Sequence, residues 1–152
     1  MRSNTCKLFP LQHDLPTTCW CGLAAMSMLS GAPTSHCKQL LRDYLNNVGF
    51  RSNEQIKGIY LNDALAILPA LGLEHEQVPA LPGANTLRQW LQLITDVATD
   101  DDVFFVLVKR HFVLVSCGLV YDNFYPNGTK QHHFALDRQF RSAYLVKLPS
   151  DF

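Results

Sequence analysis

The stretch Val103-Phe104-Phe105-Val106-Leu107-Val108-Lys109 limits what this chain can fold into more than any other. It is continuous, β-branched and aromatic, with no polar alternation. Such a run reads as a central strand buried on both faces, not as one side of a solvated sheet. Its apolar part is far too short to cross a bilayer, which takes about 20 residues in a helix. More strands follow closely. Residues 111–116 form a second, 119–124 a third, and 143–148 close the sheet. Cys117-Gly118 is a tight-turn signal, so the second and third pair as an antiparallel hairpin.

The first half reads mostly as helix. Residues 20–30 are rich in Ala, Leu and Met and apolar nearly all round, as in a buried helix. Gly31 and Pro33 stop it. Thr34 or Ser35 caps a second helix to about Asn47, with Cys37, Leu40, Leu41, Tyr44, Leu45 and Val48 at helical spacing. Asn62 caps a third, carrying Leu65, Leu68 and Leu71, which Pro69 kinks or shortens and Gly72 ends. Residues 73–78 are a short strand. Asn85 or Thr86 caps a fourth helix, with Leu87, Leu91 and Ile94 on one face. Helices first and strands later predict an α+β fold, with a helical N-terminal half packed on a C-terminal antiparallel sheet. The 152 residues make a single domain, 1–152, large enough to hold a core without a disulfide or metal.

Charge narrows the partners. With 13 Lys+Arg against 13 Asp+Glu the net charge is zero, which supports neither a nucleic-acid partner nor an anionic membrane. No apolar signal core follows the N-terminus, so the expected location is cytoplasmic. Five cysteines, an odd number, argue against a disulfide framework and for reduced thiols.

One constellation carries chemistry. Cys21 opens the buried helix, His111 opens a strand, and Asp122 lies on the strand paired with it. A thiolate gains from a helix N-terminus through the dipole and the free N–H groups. An imidazole stabilises the thiolate as an ion pair and later protonates the leaving group. A third side chain fixes the ring's tautomer. A two-residue turn at Cys117-Gly118 pairs Ser116 with Leu119 and hence Val113 with Asp122, which puts Asp122 on the face of His111. A three-residue turn brings Asn123 there instead. The two-residue reading is simpler and favours Asp122. Cys21 is preferred as nucleophile because it is the first helical residue; Cys19 is the alternate.

The run Cys21-Gly22-Leu23-Ala24-Ala25-Met26-Ser27-Met28 resembles the active-site helix of papain-like cysteine peptidases. Its nearest likeness is the bacteriocin-processing peptidases that cut double-glycine leaders. His111-Phe112-Val113-Leu114-Val115 is similar to their histidine strand, Asp122 to their later aspartate, and Gln12-His13-Asp14 to their upstream Gln-x-Asp. The resemblance implies a papain-like fold and a Cys-His-Asp triad with Gln12 donating to the oxyanion hole. Thr17, Thr18 or backbone N–H groups are the other candidates for that donor. It implies a peptidase or isopeptidase acting on a protein or peptide, without a cofactor. The same triad serves a glutamine deamidase or transglutaminase, and the same fold a catalytically silent binding module. A signal-less enzyme of this size suits a protein delivered into or made in a host cell, such as a bacterial effector or phage product.

The remaining residues read more plainly. Cys6, Cys37 and Cys117 are packing or turn residues, and His13, His36, His75, His132 and His133 surface ones. A zinc site built from Cys19, Cys21, His36, Cys37, His132 and His133 fits no standard spacing, and no metal is expected. Trp20, Tyr121, Phe124 and Tyr125 are candidates for cleft walls.

Overall fold

In the computed structural model, which describes residues 8–16, 20–47, 61–132 and 134–148, five strands form one antiparallel sheet. They are β1 (Glu74–Gln77), β2 (Val103–Val108), β3 (His111–Ser116), β4 (Leu119–Tyr121) and β5 (Phe140–Lys147), in the spatial order β1-β5-β2-β3-β4. β2 is the central strand. Val103 and Phe105 enter one core, while Phe104, Val106 and Val108 enter the other, so the run needs no polar alternation.

Helices cover both faces. α1 (Cys21–Ser30), α2 (Thr34–Asn47) and α3 (Leu61–Ile67) share the core of Phe105, Phe112 and Leu114. α4 (Leu87–Ile94) lies on the opposite face, where Leu87, Trp90 and Ile94 pack with Phe104, Val106 and Val113. This cover on each side is what a strand as apolar as β2 needs. β1, from the first half of the chain, joins the sheet edge beside β5. Among the described residues no helix is long and apolar enough to cross a membrane.

The ends of the helices follow local chemistry. α1 is buried from Gly22 to Leu29 and ends at Gly31, whose φ of 81° lets its N–H reach the Ser27 carbonyl. α2 begins at Thr34, and the Asp14 carboxylate caps it by accepting the Ser35 N–H at 2.8 Å. α3 stops at Ile67, and Pro69 opens a separate 3₁₀ turn closed by Gly72. Thr86 and Gln89 form a capping box at α4.

Two strand boundaries differ from expectation. β4 ends at Tyr121, short of 124, because the Asp122 carboxylate bends the chain: its Oδ1 accepts the N–H groups of Phe124 and Tyr125, both at 2.9 Å. β5 begins at Phe140, before 143, because a bulge between the partners of Leu107 and Val108 lets pairing continue to Phe140.

Both hairpin turns of β3 hold two residues. β2 and β3 pair to Val108–His111, and β3 and β4 to Ser116–Leu119. Cys117 and Gly118 have φ of 54° and 74°, the both-positive geometry that matches strand twist. Beyond β4, Val120 and Thr129 exchange backbone hydrogen bonds at 2.9 Å. The turn leading into Thr129 contains Gly128, at φ +85°, where an added Cβ would come within 2.7 Å of the Tyr121 ring. Gly128→Ala should therefore cost about 1–3 kcal/mol for overpacking in addition to backbone strain. Gly118→Ala, at φ +74° with open space around it, should cost the backbone part alone. Urea denaturation of the two variants checks this, and equal losses would refute the contact argument.

Candidate active site

The site forms where the N-terminus of α1 meets the start of β3. Trp20 is the extended residue before α1 and its side chain makes no capping bond, so no N-cap side chain occupies the N–H groups of the first turn. Cys21 is half-buried there. β4 pairs with β3 only from Leu114 to Ser116, which leaves the outer edge of β3 clear of β4 near His111. α1 packs along β3 and brings the thiol to that edge. The His111 ring and the Phe112 and Gly22 N–H groups lie near enough to the sulfur to favour its anion.

His111 is 4% exposed, and its Nε2 lies 2.6 Å from Asp122 Oδ2. With Nε2 on the carboxylate, Nδ1 is the nitrogen left for the thiol. Asp122 is 1% exposed and fully engaged. Oδ1 takes the two backbone N–H groups already described, and Oδ2 is shared by His111 and by His132 Nε2, at 2.5 Å.

The electrostatics follow from these bonds. Burial alone would raise the Cys21 thiol, but the His111 hydrogen bond, the Phe112 N–H and the His111 charge together hold it below the ordinary thiol value. Burial alone would lower His111; hydrogen bonds to Asp122 and Cys21 and the charges of both push it up to about 9. Burial likewise works against the Asp122 anion, and hydrogen bonds from His111, His132 and Tyr125 hold its carboxyl below the usual value. Each group favours the charge that its neighbour needs.

Three of the residues expected from sequence, Cys21, His111 and Asp122, thus come together. It is Asp122, for which Asn123 was the alternate, whose carboxylate bonds the His111 ring. Cys19, Thr17, Thr18, Cys6 and His133 lie outside the described residues. Gln12 does not reach the thiol. Its backbone N–H bonds Ser27 Oγ and its side-chain amide bonds the Gly31 carbonyl, at the far end of α1 and roughly 15 Å along the axis from Cys21. The Gln12-His13-Asp14 segment serves the junction of α1 and α2 instead. His13 bonds Thr34, and Asp14 bonds Thr34 and Ser35.

His132 also corrects the sequence reading. It was expected at the surface and is 0% exposed, behind Asp122. No periodic pattern in its neighbourhood signals this, because it sits in a turn between β4 and β5. His36 is exposed and His75 sits edge-on to Tyr144. Cys37 is a core thiol that burial pushes up to about 11. Cys117 donates to the Asp100 carbonyl at 3.2 Å.

Aromatic rings wall the imidazole. Phe134 lies edge-on to His111 with centroids 5.1 Å apart, and Phe124 lies at 6.1 Å. Both are exposed, Phe124 by 60% and Phe134 by 45%. Tyr121, expected as a cleft wall, is buried in the core under α1. A separate cavity of about 220 Å³ lies between α4 and the Cys117-Gly118 turn, at the other end of β3 from His111.

Among the described residues, only His111, Asp122 and His132 bring metal-ligating atoms together, within 4.8 Å of one another. The donor chemistry does not suit a metal. The Ala135 N–H donates to His132 Nδ1 at 3.1 Å, so a metal on Nε2 would require an imidazolate ring. Both ring nitrogens also approach one carboxylate oxygen at hydrogen-bond distance. The chain matches no protein-family model, no curated protein and no solved structure.

Proposed function

We propose that this chain is a papain-like cysteine hydrolase that cleaves amide bonds in a protein or peptide substrate. The observation that carries the reading is His111, with one ring nitrogen on a buried carboxylate and its ring beside a thiol at a helix N-terminus. A packing cysteine needs neither partner. The depressed thiol beside a raised imidazole is what a thiolate–imidazolium pair requires.

In this reading the Cys21 thiolate attacks the scissile carbonyl carbon and its electron pair becomes the C–S bond. The carbonyl oxygen takes the charge, and the first-turn N–H groups of α1 are the donors nearest to it. His111 gives its Nδ1 proton to the leaving amine as the C–N bond breaks. The neutral ring then takes a proton from water, whose oxygen attacks the thioester carbon; the C–S bond breaks, its electron pair returns to sulfur, and the acid leaves. Asp122 holds the Nε2–H throughout and keeps Nδ1 aimed at the thiol. Phe124 and Phe134 flank the ring on the exposed side and offer an apolar wall to the residues next to the scissile bond. Action in the cytoplasm of the cell that makes or receives the protein belongs to the same proposal.

Iodoacetamide labelling against pH, read by peptide mass spectrometry, tests the reading. Cys21 should label with an inflection below the free-thiol value of about 8.5, at a pH where Cys37 stays silent. The active form needs Cys21 deprotonated and His111 protonated. Hydrolysis should therefore rise with pH as the thiol ionises and fall as His111 loses its proton near about 9. A Cys21 that titrates as an ordinary thiol would refute the ion pair.

A further inference from the structure

The triad leaves one buried titratable side chain unused. His132 is 0% exposed and bonds the same Asp122 oxygen that His111 bonds. Its tautomer is fixed by its own turn. A backbone N–H can only donate, and the Ala135 N–H reaches His132 Nδ1 at 3.1 Å while also sharing the His132 carbonyl at 3.2 Å. Nδ1 therefore carries a lone pair, and the ring's one proton sits on Nε2 and points at Asp122. The Tyr125 ring packs against the imidazole at 4.7 Å and helps to hold it in place.

We propose that His132 is a positioning residue that acts through Asp122. As a neutral donor it takes a share of the Oδ2 charge and sets how strongly the carboxylate pulls on the His111 imidazolium. The inference rests on the thiol-hydrolase reading and deepens it. A carboxylate with one donor on Oδ2 would hold the His111 proton more tightly and make the ring a poorer acid toward the leaving group. The second donor weakens that hold without removing the anion. It also fixes the carboxylate through Oδ2, while the Phe124 and Tyr125 N–H groups fix Oδ1. Bonds on both oxygens leave the group no freedom to rotate away from His111.

Among the described residues, the titratable groups facing this cluster are Cys21 on α1, His111 on β3, and Asp122 and Tyr125 after β4. Arg138 lies beyond Phe134, its guanidinium 3.8 Å above that ring's centroid.

The test has two arms. In the unmodified protein, nitrogen-15 NMR of the histidine rings should show His132 as the neutral Nε2–H tautomer at pH 7 while His111 is cationic. A His132 that is cationic or carries its proton on Nδ1 overturns the proposal, and this arm needs no variant to fold. In the second arm, His132→Leu should move the basic limb of the activity profile upward by about one pH unit. It should also lower kcat roughly threefold to tenfold with KM unchanged. His132→Gln, whose amide N–H can reach the same oxygen, should restore both. A purely structural role would lower the folded fraction and leave the limb in place, so a folded Leu variant with an unmoved limb overturns the proposal. Should Cys21 of the unmodified protein label as an ordinary thiol, the hydrolase reading itself falls, whatever tautomer His132 shows.

Discussion

Cys21→Ala should lower kcat/KM by about 10⁴-fold or more and leave the melting temperature almost unchanged. In the proposed mechanism the thiol supplies the attacking electron pair. Cys21 is only half-buried, so alanine leaves little cavity. His111→Ala should cost activity on the same scale. The loss in stability should stay modest, because Asp122 keeps His132 and two backbone N–H groups as partners. The double variant should be no worse than either single one, since thiolate and imidazolium act as one unit. Kinetics on a peptide substrate beside thermal unfolding would check all three. A Cys21→Ala protein that still turns over would move the nucleophile elsewhere.

Asp122→Ala should be the most destabilising change at the site. It leaves two buried imidazole N–H groups and two turn N–H groups without their acceptor. Breaking a buried charged cluster on one side costs about 3–5 kcal/mol. Asp122→Asn separates stability from catalysis. Its amide oxygen can keep the turn bonds at the Oδ1 position, while its NH₂ group cannot accept from either ring. His111 must then turn its proton toward Nδ1, the wrong tautomer for a thiol partner, and activity should fall by about 10⁴-fold. Stability should also change its dependence on pH. A carboxyl held below its unfolded value stabilises the fold above that value, and the contribution is lost as pH falls through the lower folded one. Asp122→Asn should lack this acid-side loss. Urea titrations from neutral pH downward, with kcat measured alongside, would show it. Full activity in Asp122→Asn would exclude the carboxylate from the triad.

Local chemistry made much of this legible in the sequence. Gly31 had to end α1 because the chain there needs a positive φ, and Thr86, one of two cap candidates, opens α4. The two-residue turn at Cys117-Gly118 fixed the register, and the register put Asp122 beside His111. What stayed hidden depends on the path of the chain between elements. Gln12 precedes Cys21, yet its segment runs beside the other end of α1, where Phe9 bonds the Met28 carbonyl. Order along the chain carried no information about that direction. His132 lies in a turn with no period to mark a buried face, and its partner is ten positions away across a bend that Asp122 itself makes. α4 was visible as a helix, but which face of the sheet it would cover was not.

The triad spans the chain from Cys21 to Asp122, with His132 further on. If the site acts as proposed, this separation governs when the thiol becomes reactive. During synthesis the α1 segment leaves the ribosome first, and its thiol is then an ordinary one, with neither the His111 ring nor the β3 edge beside it. On the proposed reading, the thiolate–imidazolium pair would form only after His111 and Asp122 have emerged and the sheet has packed against α1. Topology alone would then keep the nascent chain from cleaving itself or its neighbours.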